Sequence, residues 1–76
     1  MPQLSSLKPR EVIRILESIG FAHIRQSGSH ATYRHPEGRW TMVSIHPTKT
    51  IPVGTLRKII RDIGLTPEEF LRLLRE

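Results

Sequence analysis

The chain has 76 residues, twelve Lys and Arg against seven Asp and Glu, a net charge of +5 and no cysteine. That length supports one domain, residues 1–76, with a small core; the lack of cysteine excludes disulfides and thiolate metal sites, and no apolar run approaches membrane-spanning length. Nine of the twelve cations are Arg, the side chain that grips phosphate bidentately, so the charge points to a nucleic acid or an acidic protein partner.

The first segment, Met1-Pro2-Gln3-Leu4-Ser5-Ser6, lacks a charged start followed by an apolar run. No signal peptide is expected, and a cytoplasmic, reducing location fits the absence of cysteine. Residues 9–19 read as a helix. Val12, Ile15, Leu16 and Ile19 make one apolar stripe, Pro9 suits the first turn, and Gly20 suits a left-handed stop.

Three short strands are predicted next, over residues 21–26, 30–35 and 39–45. Ser27-Gly28-Ser29 and Pro36-Glu37-Gly38 turn the chain between them, which makes all three antiparallel neighbours. In the third, Thr41, Val43 and Ile45 share one face and Trp40, Met42 and Ser44 the other. A loop with Pro47 and Pro52 leads to a second helix over 53–63, striped by Leu56, Ile59, Ile60 and Ile63. Thr66, Pro67 and Glu69 then spell a capping box for a third helix over 67–74, docked through Phe70, Leu71 and Leu74. The order α-β-β-β-α-α implies an α+β fold with a three-stranded antiparallel sheet, helices on one face, and the other face open.

Gly28-Ser29-His30 puts an imidazole at the mouth of the second strand, just past a tight turn. Strand parity sends His30, Thr32 and Arg34 one way and Ala31, Tyr33 and His35 the other. The first set is polar and belongs on the open face. A histidine moves protons near neutral pH, and RNA carries its own nucleophile in the 2′-hydroxyl. His30 therefore suits RNA cleavage, worth ~10²–10⁴-fold as a positioned acid or base, with Arg34 or Lys49 neutralising charge on the phosphorane. The plainer alternative is that His30 binds phosphate or caps the turn. His35 and His46 precede proline and suit turn-end hydrogen bonding; the parity of His23 does not decide its burial. No metal site is expected, because His30 and His35 have opposite parity and no carboxylate joins them on that strand.

Arg57, Lys58 and Arg61 lie on the second helix away from its stripe, and Lys49 precedes it. With Gly54 and Thr55 at the helix start, they form a second phosphate-binding candidate. Aromatic residues are too few for an extended stacking surface; Trp40 suits either a base or a partner.

The ordered set Gly28-Ser29-His30, Tyr33-Arg34-His35-Pro36, Gly38-Arg39, His46-Pro47, Lys49, Ile51-Pro52 and Gly54-Thr55-Leu56-Arg57-Lys58-Ile59-Ile60 resembles the HicA-type mRNA interferase toxins. The likeness runs from Val12 to Leu74. It implies a double-stranded-RNA-binding-domain-like fold, a ribosome-independent endoribonuclease acting on mRNA, and His30 as catalytic residue; no cofactor is expected, because the chain offers a proton shuttle without metal ligands. It also implies a HicB-like antitoxin protein that covers the active face, with the toxin a monomer alone and a hetero-oligomer when held. Ser44 departs from the family, which often has proline there. Two other readings stand beside this one: a non-catalytic RNA- or double-stranded-RNA-binding module, and an interaction domain for an acidic protein. The second proton-transfer group stays open between water and His46.

Overall fold

The computed structural model describes residues 7–46 and 49–76; Pro47 and the segment Met1 to Ser6 lie outside the described residues. Its elements are α1 (Pro9–Ser18), β1 (Ala22–Ser27), β2 (His30–Arg34), β3 (Trp40–Ser44), α2 (Val53–Asp62) and α3 (Pro67–Arg75). α1 begins where Glu11 accepts a hydrogen bond from the Lys8 backbone N–H at 3.0 Å, with Pro9 in the first turn. It ends at Gly20, where φ is +99° and a Cβ would meet the His35 ring at 3.0 Å. The positive φ favours glycine there, and an added Cβ would also press on the His35 ring.

The helix stripes form the core. Val12, Ile15 and Leu16 of α1 and Leu56, Ile59 and Ile60 of α2 are buried with Phe21, Tyr33, Val43 and Phe70. α3 starts with a full capping box. Thr66 Oγ1 accepts from the Glu69 N–H at 3.1 Å, and the Glu69 carboxylate accepts from the Thr66 N–H at 2.8 Å. Phe70 is fully buried, and Leu73 and Leu74 pack against the core. Leu71 does not join that cluster: positions 70, 73 and 74 share a helix face, and the residue after Phe70 is turned about 100° from it.

The sheet is antiparallel in the order β1-β2-β3. On β2 and β3 the predicted alternation holds. Ala31, Tyr33, Thr41 and Val43 are sealed beneath the helices, while His30, Arg34, Trp40 and Met42 face outward. Both α1 and α2 pack on β3, and α3 packs on α1 and α2. This is a double-stranded-RNA-binding-domain-like α+β arrangement, with one sheet face covered and one open.

β1 departs from simple alternation. It begins at Ala22 rather than Phe21, and Phe21 is a core residue outside the strand. His23 pairs with Tyr33 and Arg25 pairs with Thr32, so Ile24 is an extra residue in a β-bulge. The extra residue shifts the parity of everything after it. Arg25 and Ser27 therefore share the open face with Thr32 and His30. All six residues of β1 are exposed, as expected of an edge strand that the helices do not cover.

Candidate active site

A two-residue turn sets the position of His30. Ser27 and His30 are register partners, so Gly28 and Ser29 alone connect β1 to β2. Gly28 has φ +59° and no non-glycine residue has positive φ, among the described residues. One left-handed residue in first place is the pattern of a type II′ hairpin turn, whose twist matches that of the strands. The turn delivers His30 to the outward face as the first residue of β2. Ser27 stands beside it on β1 and Ser44 on β3.

His30 lines a cleft of about 600 Å³ between the open sheet face and the segment leading into α2. Ser44, Trp40 and Met42 come to it from β3, His46 and Lys49 from the loop, and Thr55 and Lys58 from the first turns of α2. His30, His46, Lys49 and Lys58 are all exposed. Two imidazoles and two lysine side chains thus line one hollow, an arrangement suited to a phosphodiester.

Other expected site residues lie elsewhere. Arg34 faces the same way as His30 but four positions along β2, ~13 Å at the usual strand rise. It lines a neighbouring groove with Arg25, Thr32 and Trp40. Arg57 and Arg61 are exposed on α2 outside the cleft. Of the α2 cations, Lys58 alone among the described residues joins His30.

Three further residues join the site through pairing and packing. Arg25 lines a shallow hollow with Ser27, His30, Thr32 and Met42; alternation without the bulge places it on the other face. Ser44 enters by register. Asp62 enters by tertiary contact: its Oδ2 accepts from Thr41 Oγ1 at 2.9 Å and from Lys58 Nζ at 3.0 Å. The carboxylate thereby tethers a cleft ammonium to the covered face of the sheet. The i,i+4 spacing of Lys58 and Asp62 on α2 is a local signal for their ion pair, but nothing local joins Asp62 to Thr41, 21 residues away.

The remaining histidines are engaged within the chain. His35 Nδ1 accepts from the Glu37 backbone N–H at 3.0 Å, the expected turn-end role, and its ring packs edge-on against Phe21. His23 lies edge-on to Tyr33 and within 3.3 Å of Gln26 Oε1, on the side away from the cleft. Burial pushes the Tyr33 phenol above the usual tyrosine range, and the nearby Glu17 charge adds to this. No group of three or more His, Asp or Glu is placed to hold a metal ion, among the described residues.

A protein-family model described as HicA toxin of bacterial toxin-antitoxin matches residues 9–65. That span runs from the first residue of α1 to just before the capping box of α3, and it includes every cleft residue named above. A search of curated proteins found no match.

Proposed function

The chain belongs to the HicA toxin family of bacterial toxin–antitoxin systems, and on that premise we propose that it is an mRNA-cleaving endoribonuclease with His30 as its catalytic group, working without a metal ion. His30 takes the proton from a ribose 2′-hydroxyl. The 2′-oxygen forms a bond to phosphorus as the bond from phosphorus to the 5′-oxygen breaks. The products are a 2′,3′-cyclic phosphate and a 5′-hydroxyl. We assign the proton delivered to the departing 5′-oxygen to His46, which lines the same cleft.

Lys49 and Lys58 neutralise the charge that builds on the phosphorane. Arg34, in the adjoining groove, holds a different phosphate of the same strand. Gly28 and Ser29 act through the turn that aims His30. The observation that carries this reading is the meeting of His30, His46, Lys49 and Lys58 in one exposed cleft.

The partner we propose is a HicB-like antitoxin that covers the open sheet face, the toxin being monomeric alone and hetero-oligomeric when held. No helix of the described residues is long and apolar enough to cross a membrane, and we place the protein in the cytoplasm, where its substrate is.

Purified protein and its His30→Ala variant, incubated with end-labelled single-stranded RNA in excess EDTA, test the proposal. The wild type is expected to cut the RNA and leave cyclic phosphate ends. The variant is expected to be ~10²–10⁴-fold slower while binding RNA nearly as well. Equal cleavage by both removes His30 from the chemistry. Intact RNA bound by wild-type protein identifies a binding module instead.

A further inference from the structure

We propose that the indole of Trp40 is a stacking seat for an unpaired base of the RNA, beside the nucleotides whose bond is cut. The large apolar side chains left exposed among the described residues are Ile24, Trp40 and Met42, at 52%, 54% and 45%. All of them lie on the open face. The core is complete without them, so folding does not account for their placement.

Two cations stand on the β2 side of the ring. Arg34 is the register partner of Trp40 across β2 and β3. Arg25, brought to this face by the bulge, lines the same groove of about 510 Å³. A π-face with guanidinium groups to one side of it is complementary to a base on a phosphate backbone. Trp40 and Met42 also line the His30 cleft, so the indole is the ridge between the two hollows.

That continuity sets the path of the strand. It runs from His30 and Ser44 along the outward side of β3, past Met42, to Trp40. The distance is ~13 Å at the usual strand rise, which puts the stacked base beyond the cut bond rather than at it. A base inside a duplex has both faces covered by its neighbours, so the seat selects single-stranded RNA next to the cut. This role rests on the ribonuclease reading for its purpose but not for its test.

Trp40 is the sole tryptophan, so its emission reports the seat directly. Wild-type protein is titrated with a 2′-O-methyl RNA single strand, which lacks the attacking hydroxyl, and with the same strand annealed to its complement. Saturable quenching by the single strand and little by the duplex is expected. By anisotropy with a labelled strand, Trp40→Leu should bind about tenfold more weakly and Trp40→Phe within about threefold of wild type. Circular dichroism checks that both variants fold; should Trp40→Leu fail, Trp40→Phe and the emission titration still decide.

Unchanged emission, equal quenching by duplex, or wild-type affinity in Trp40→Leu overturns the proposal. So does a Trp40→Leu variant that keeps its RNA affinity but loses an acidic protein partner, which makes this face a protein-docking surface. Because the 2′-O-methyl strand is not cut, any of these leaves the ribonuclease reading standing. Quenching by RNA that stays whole with the natural hydroxyls present overturns that reading alone.

Discussion

The Thr41 hydroxyl, on a side chain only 1% exposed, donates to Asp62 Oδ2 at 2.9 Å, and that oxygen also accepts from Lys58 Nζ at 3.0 Å. The covered side of the sheet and the wall of the cleft are thus joined through one carboxylate oxygen. Thr41→Val keeps the shape and deletes the donor. Asp62 is partly exposed and regains water, so the expected loss is ~1 kcal/mol, read from the urea midpoint, with RNA cleavage little changed.

The Asp62 carboxylate offsets part of the field of the Lys58 ammonium and holds it in place, so Asp62→Asn should free it for RNA. Tighter binding to a single strand and a steeper salt dependence are expected. Conversely, Lys49→Ala and Lys58→Ala should each flatten the slope of log K against log salt by about 0.7, the value for one lost phosphate contact on a single strand. Arg57→Ala and Arg61→Ala, outside the cleft, should change the slope less. Affinities measured across a salt series check all five variants.

Gly64 has φ +80°, and an added Cβ there would run into the Arg39 guanidinium, whose Nη1 donates to the Ile63 carbonyl at 2.9 Å. Gly64→Ala therefore carries a backbone cost of ~1–2 kcal/mol and displaces the Arg39 contact as well. In an Arg39→Ala background the same substitution should cost less, because only the backbone part remains. Urea denaturation of the two single variants and the double variant measures the difference.

The phenol of Tyr33 loses its proton less readily in the fold than in the unfolded chain, through burial first and the Glu17 charge second. The folded state therefore holds the neutral form more strongly. Its contribution is fully present below about pH 10, the ordinary tyrosine value, and is lost as pH rises through the raised one. Stability should fall more steeply in wild type than in Tyr33→Phe on moving from neutral pH to beyond 10. Urea midpoints over that range separate this from the lysine titrations common to both proteins.

Most of the frame was legible in the chain because it rests on local periodicity. The stripes of α1 and α2, the Thr66–Glu69 box and the alternation of His30 to Arg34 each depend on neighbours within a few residues. The face of β1 was not legible. Whether Ile24 takes a place in the ladder or bulges out is decided by pairing with β2, and one extra residue reverses which way Arg25 and Ser27 point. The link from Thr41 to Asp62 and the clamp from Arg39 to Ile63 were equally out of reach, since each joins β3 or its approach to the distant end of α2. For the candidate site, the turn, His30, Lys49 and Lys58 came from sequence, with His46 one of two options for the second proton carrier. The separation of Arg34 from His30 follows from the strand rise; that Lys58, and not Arg57 or Arg61, meets His30 depends on how α2 packs against β3.

The extra residue in β1 also bears on how this molecule meets its own copies. An outermost strand with a regular ladder offers a row of unpaired amides on which a second chain can lay itself down, and sheets then grow from molecule to molecule. Ile24 interrupts that row midway, and Arg25 adds a charge at the break. A neighbour approaching along β1 finds no continuous template, which disfavours sheet extension at that edge.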